Sequence, residues 1–248
     1  MADTILDPTT LLSRFGLSSF RPGQREVVDS LAAGQDVMCV MPTGGGKSLC
    51  YQLPSLAREG TTIVVSPLIA LMKDQVDTLT RRGIRAKLIN SSLSASEQSE
   101  VMSEMASGTL DLVYVAPERL RHGRFLEAVS SAKVTLLAVD EAHCVSEWGH
   151  DFRPDYSRLG RFRNKYLGDV QTIALTATAT PTVRDDISEL LGLKSPRVFV
   201  TGFARENLRF SVLQAKSDRE KDERLTAYLG GQSGGGIIYA ATRRRCEE

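Results

Sequence analysis

The chain has 248 residues, 42% hydrophobic and 25% charged, which suits a folded domain with a sizeable core and leaves residues over for part of a second. Lysine plus arginine number 31 against 30 acidic residues, so bulk charge points neither toward nor away from a polyanionic partner; only a local basic surface can bind one. Cys39, Cys50, Cys144 and Cys246 lack Cys-x-x-Cys spacing, the N-terminus with Asp3 and Asp7 lacks an apolar leader, and no run is long enough to span a membrane, so a soluble intracellular protein with reduced thiols and no zinc site is expected.

In chain order, residues 9–20 read as a short helix, and the turn Phe20-Arg21-Pro22-Gly23-Gln24 leads into a second helix that Gly34 ends. Short continuous apolar runs follow at 37–41, 62–65, 86–89, 112–116, 136–139, 172–175 and 197–200, the pattern of strands buried on both faces. Helical patterns fill the intervals at 49–57, 68–82, 94–107, 124–131, 156–166 and 181–191. Such alternation predicts an α/β fold, a parallel sheet with right-handed crossovers and helices on both faces. Near 202–208 a new strand-helix-strand series begins at 209–213, 219–229 and 236–240, too short to bury a core of its own. The expected division is 1–207 for one domain and 208–248 for the incomplete beginning of another.

The chemistry starts at Met41-Pro42-Thr43-Gly44-Gly45-Gly46-Lys47-Ser48. Three glycines let backbone amides close around an oxyanion, Lys47 supplies charge for the outer phosphates and Ser48 a hydroxyl for Mg²⁺. A Gly-rich turn is by itself only a loop, but here a strand precedes it and a helix N-terminus follows it. Met41 stands where Gly or Ala is usual, so the first turn of the loop is expected to differ. Leu136 to Val139 then delivers Asp140 to the Mg²⁺ and leaves Glu141 to orient or deprotonate a water, the alternative being a solvated acidic turn. Polar motifs end five of the strands, and in parallel sheets those ends form one rim. Beyond it, Trp148 and Phe152 offer flat faces for unstacked bases, with His150, Arg153 and Arg158 as donors to a backbone; the alternative is that both rings pack under a long loop.

Asp140-Glu141-Ala142-His143, 42–48, Ser66 to Gln75, Phe20 to Gln24, Ala116 to Leu120 and Leu175 to Thr180 together resemble the ordered motifs of superfamily 2 helicases. Val145 to Tyr156 resembles the aromatic-rich loop of the RecQ family of DNA helicases, and the resemblance covers about residues 10 to 242. It implies a RecA-like P-loop fold and an ATP- and Mg²⁺-dependent motor. That motor moves 3′ to 5′ on single-stranded DNA and unwinds junctions of single and double strands in repair and recombination. Lys47, Asp140, Glu141 and His143 would be its catalytic set. In the resemblance Gln24 reads the adenine edge and Arg21 lies against the base; Leu17 replaces a frequent aromatic, so looser base selectivity is expected. Thr176 and Thr178 match the motif that relays nucleotide state. Ser66, Lys73, Asn90, Ser91 and Arg119 are candidate contacts to strand phosphates, each equally a surface residue when taken alone. Ile237 to Thr242 resembles the first motif of a second RecA-like domain, with Ala240 and Thr242 as departures. The arginine of that second domain and the accessory DNA-binding modules would lie beyond residue 248. The chain alone is therefore expected to bind weakly and turn over slowly, with a non-catalytic binding fragment and an RNA-remodelling ATPase as the alternatives.

Overall fold

The computed structural model describes residues 8–149, 151–202 and 208–247. They divide into two units, the first ending at residue 202 and the second covering 208–247. In the first, β1 (Val37–Val40), β2 (Thr61–Val65), β3 (Ala86–Ile89), β4 (Leu112–Val115), β5 (Val134–Val139), β6 (Thr172–Thr176) and β7 (Arg197–Val200) form one sheet. Its order is β3-β4-β2-β5-β6-β1-β7, with every neighbouring pair parallel. The connecting helices are α1 (Pro8–Leu12), α2 (Gln24–Ala32), α3 (Leu49–Leu56), α4 (Ile69–Arg81), α5 (Ala95–Ala106), α6 (Gly123–Ser131), α7 (Leu159–Phe162) and α8 (Pro181–Leu191). The α/β architecture expected from the sequence is the one observed.

Strand alternation sorts the core into two layers. Met38, Val40, Ile63, Val65, Leu137 and Val139 face one way and pack with α5, α6 and α8 through Met105, Phe125 and Ile187. Val37, Cys39, Val64, Tyr114, Leu136 and Ala138 face the other way, against α2, α3 and α4 through Leu31, Tyr51 and Met72. Helix ends are locally encoded. Ser94 and Glu97 form a reciprocal capping box on α5; α8 has a Thr180 cap, Pro181 in its first turn and Gly192 in the left-handed conformation at its end.

Three expectations need correction. The run at 197–200 is not buried on both faces: β7 is the last strand in the sheet order, and Val198 and Val200 are about half exposed. The segment 156–166 is not one helix but a 3₁₀ turn at Tyr156–Arg158, then α7, then a π turn at Arg163–Leu167. The π turn carries Arg163, which is buried. Its guanidinium donates to Asp36 Oδ2 at 2.9 Å and to Thr172 Oγ1 at 2.8 Å, and Asp36 also accepts from the amides of Thr172 and Lys194 at 2.7 and 2.8 Å. A long-range ion pair thus overrides helical regularity, as π turns inside helices often mark. Finally, 209–213 and 236–240 are not strands.

In the second unit α9 (Asp218–Gly230) forms as expected, capped by the Ser217 hydroxyl and laced by Arg219–Glu223 and Arg224–Glu220 pairs one turn apart; α10 (Arg243–Glu247) follows. A strand exists only with a partner ladder, and none forms among the described residues of this unit. Phe210 and Tyr239, the apolar residues that a sheet would bury, are 93% and 89% exposed.

Candidate nucleotide and nucleic-acid site

The loop after β1 closes on itself. Gly45 N–H donates to Pro42 O at 3.0 Å, and Gly44 and Gly46 take φ of 81° and 80°, a region open to glycine at little cost. Met41, the departure from the usual motif, is buried and donates its backbone N–H to Thr176 O at 3.0 Å, so its side chain joins the core. Lys47 Nζ donates to Met41 O at 3.0 Å and Pro42 O at 3.4 Å, curled inside the loop's own ring of carbonyls. Ser48 precedes α3, and the N–H groups of Tyr51 and Gln52 both donate to its carbonyl, at 3.3 and 3.0 Å. Thr43 is exposed.

The turn at 20–24 is a clamp on this loop. Gln24 is buried; its Oε1 accepts from Arg21 N–H at 2.8 Å, and its Nε2 donates to Gly46 O at 2.9 Å and Gly45 O at 3.4 Å. Arg21 donates to Gly44 O. A methyl group added at Gly46 would sit 2.3 Å from Gln24 Nε2, so the third glycine admits the clamp as well as the turn. The amide that the resemblance assigns to adenine thus engages loop carbonyls in this structure. Leu17 is 41% exposed.

Asp140 ends β5, with its N–H on Val65 O at 2.8 Å. Removal from water pushes its carboxyl up to about 6, the Glu141 charge adds to this, and a hydrogen bond from Glu141 N–H and the charge of Lys47 oppose it. Lys47 and Asp140 therefore feel each other across β6, which separates β1 from β5. Glu141 has φ 47° and ψ 46°, a left-handed conformation that costs a non-glycine residue about 1–2 kcal/mol. The turn is held by Cys144 N–H on Glu141 O at 2.9 Å and by Tyr156 Oη on Asp140 O at 2.9 Å.

His143 is buried, with Nδ1 2.9 Å from Thr176 Oγ1 and 3.3 Å from Glu141 Oε2. Because the Thr176 hydroxyl donates its one proton to Thr178 O at 3.1 Å, Nδ1 is the donor to Thr176 Oγ1. The end of β6 is thereby wired to the acid turn. Cys144 Sγ lies 3.8 Å from His143 Nε2 and 3.9 Å from Asp151 Oδ2, and that carboxylate is also held by Arg153.

The aromatic-rich segment is pinned at its base and open at its tip. The Ser146 hydroxyl donates to Asp186 Oδ2 at 2.6 Å and accepts from Trp148 N–H at 3.1 Å, while Arg153 spans Asp151 and Pro67 O at 3.2 Å. Trp148 is 78% exposed and Phe152 partly so. His150 lies outside the described residues. Lys73 and Arg158 are exposed, and Ser66 is buried at the end of β2. Asn90 and Arg119 point inward instead. Asn90 Oδ1 accepts from Ser92 N–H and Oγ at 2.9 and 2.7 Å, and Arg119 donates to Asn90 O at 3.1 Å and Gln98 Oε1 at 3.0 Å. They build the loop after β3 and leave exposed Ser91 at its surface. Tyr156, which supports Asp140, closes the segment Val145 to Tyr156 that carries the family resemblance, and nothing in the sequence gives it this role individually.

A glycine-rich loop with Lys47 and Ser48 and a paired acid at the C-terminal ends of parallel strands is the arrangement of a P-loop nucleotide-binding domain. Consistent with this, the family model for the DEAD/DEAH box helicase matches residues 21–187, and the chain belongs to that family. Within it, the chain is 45% identical to the ATP-dependent DNA helicase RecQ of Pasteurella multocida, over 100% of this chain and 38% of that protein. It is 45% identical to the ATP-dependent DNA helicase RecQ of Bacillus subtilis, over 94% and 39%. The chain thus spans well under half the length of these relatives. Among solved structures, the helicase MrfA superposes with a TM-score of 0.70 at 20% identity over 100% of this chain and 40% of that one. A hypothetical ATP-dependent RNA helicase from Sulfolobus tokodaii gives 0.59 at 18% over 77% and 56%; at such identities the likeness is one of fold. Among the described residues no helix is long and apolar enough to cross a membrane.

Proposed function

We propose that the chain is the ATP-binding part of a RecQ-type DNA helicase. Such a motor couples ATP hydrolysis to 3′-to-5′ movement on single-stranded DNA and to opening of single-strand/duplex junctions in repair and recombination. The observation that carries this reading is that the Lys47 loop and Asp140 follow β1 and β5, the two strands that flank β6, at the same end of the parallel sheet, with the exposed Trp148 turn starting from the same acid motif. Hard oxygen donors suit Mg²⁺, and the Ser48 hydroxyl and Asp140 carboxylate supply two. The metal would neutralise charge developing on the phosphates. Lys47 exchanges its two loop carbonyls for the outer phosphates, Glu141 takes or orients the water proton, and His143, whose Nδ1 lies 2.9 Å from Thr176 Oγ1 and 3.3 Å from Glu141 Oε2, packs between the two. Arg21, Gln24, Thr43 and Gly44 to Ser48 form the nucleotide side. Trp148, His150, Phe152, Arg153, Ser66, Lys73, Asn90 and Arg119 form the DNA side, the last two by shaping the loop that presents Ser91. Residues 1–207 are the first RecA-like domain and 208–248 the beginning of a second, in an intracellular protein of the nucleoid or nucleus.

The test is binding by this chain of a fluorescent ATP analogue with Mg²⁺ and of labelled single-stranded DNA and RNA. Nucleotide binding that Lys47→Ala removes, together with preference for DNA, is expected. Absence of nucleotide binding, or preference for RNA, overturns the reading.

A further inference from the structure

Helix α3, which starts one residue after Ser48, is joined to α4 by side chains that the nucleotide site does not use. Tyr51 and Tyr114 are both about 1% exposed, with hydroxyls 3.2 Å apart and rings edge to face at 6.4 Å. Gln52, 6% exposed, donates from the same Nε2 to Tyr114 Oη at 3.0 Å and to Gln75 Oε1 at 2.8 Å. Both protons of that amide are used, and the Tyr114 oxygen bridges two neighbours. Gln75 lies on α4, the helix that carries Lys73 and follows the Ser66 loop. At the other end, the Ser48 carbonyl accepts from the backbone of both Tyr51 and Gln52.

The chain of contacts therefore runs from the residue expected to hold Mg²⁺, across strand β4, to a helix expected to meet DNA. Packing alone does not require it, since apolar side chains would fill the same volume without desolvating hydroxyls and amides. What hydrogen bonds add is direction: they weaken steeply with small changes of angle, whereas apolar contacts slide.

We propose that Tyr51, Tyr114, Gln52 and Gln75 are positioning residues that couple occupancy at Ser48 to the placement of α4, and thereby link nucleotide affinity to single-strand affinity. The inference rests on the function proposed above. By linkage the coupling is reciprocal and can be read from either ligand.

The experiment titrates fluorescein-labelled oligothymidylate against this chain, with and without a non-hydrolysable ATP analogue and Mg²⁺, in the wild type, Tyr114→Phe, Gln75→Ala and the double variant. The ratio of the two dissociation constants is the coupling factor. Each single variant is expected to move that factor toward one by about 2- to 12-fold, the equivalent of one hydrogen bond. Affinity for either ligand alone should stay within about twofold, and the double variant should lose no more than the larger single loss. Gln75 is only partly buried, so its variant tests the link even if Tyr114→Phe loosens the core, which thermal unfolding would reveal. A coupling factor unchanged in the folded variants, or lost only in parallel with single-ligand affinity, overturns the inference. A wild type that binds both ligands without coupling overturns it while leaving the proposed function intact; a wild type that binds neither removes both.

Discussion

Asp140→Asn should stabilise the ligand-free chain while removing Mg²⁺-nucleotide binding. In the folded chain the Asp140 carboxyl is raised from 3.8 to about 6, chiefly by loss of water and then by the Glu141 charge. A raised carboxyl binds its proton more tightly folded than unfolded. Below about pH 3.8 both states are protonated and no cost arises; between 3.8 and about 6 the cost grows; above that it is constant. At about 1.4 kcal/mol per tenfold, the span amounts to about 3 kcal/mol as an upper bound. Asparagine keeps an acceptor for the Glu141 N–H but introduces an amide that must find its own partners, so a gain of about 1–3 kcal/mol is expected at pH 7.5. Urea unfolding of both proteins in chelator, from pH 4 to 8, measures it, and the difference between them cancels the titrating groups that do not interact with Asp140. The two curves should converge near pH 4 and part as pH rises. Parallel curves, or a variant no more stable at pH 7.5, would refute the assignment of the strain to this carboxylate.

Glu141→Gln should keep nucleotide affinity within a few-fold while single-turnover hydrolysis falls by about 10²-fold or more, since the general base is lost and the loop is not; unaffected hydrolysis would remove Glu141 from that role. Asp36→Ala leaves Arg163 charged and buried without its carboxylate, so urea unfolding should show a loss of about 3–5 kcal/mol, with Asp36→Ala/Arg163→Met recovering part of it. Trp148→Ala should weaken oligothymidylate binding by about 1–3 kcal/mol yet change stability by less than about 0.5 kcal/mol, because the ring is mostly exposed. A large stability loss there would mean that the ring packs under its loop.

The sheet was legible because its inner strands are continuous apolar runs with both faces covered, and such runs have few other places to go. What escaped depends on partners far along the chain. Nothing local to 156–166 announces a π turn, since Arg163 answers to Asp36, 127 residues away. The apolar residues of 209–213 and 236–240 carry strand propensity without a ladder to join, and propensity alone makes no sheet. The chemical letters behaved likewise. Lys47, Ser48, Asp140 and Glu141 stand at loop ends where the backbone alone fixes their place. The Gln24 amide and the Arg119 guanidinium are committed to carbonyls 21 to 29 residues away, which residue type and spacing do not reveal.

The strained turn at Glu141 shows how these local and distant constraints meet. Its left-handed backbone is held from both sides, by Tyr156 on the carbonyl before it and by the Cys144 amide on the carbonyl of Glu141 itself. Tyr156 closes the aromatic-rich segment and Cys144 opens toward it, so displacement of that segment acts on the conformation of the acid. His143 supplies a second path, because its Nδ1 lies within reach of Thr176 and of the Glu141 carboxylate together. Thr176 in turn offers its backbone carbonyl to Met41, the first residue of the phosphate loop. The Asp140-Glu141 turn is thus tied both to the nucleotide loop through β6 and to the Trp148 segment through Tyr156 and Cys144. Under the function proposed above, that tie is a route by which water activation waits for nucleic acid.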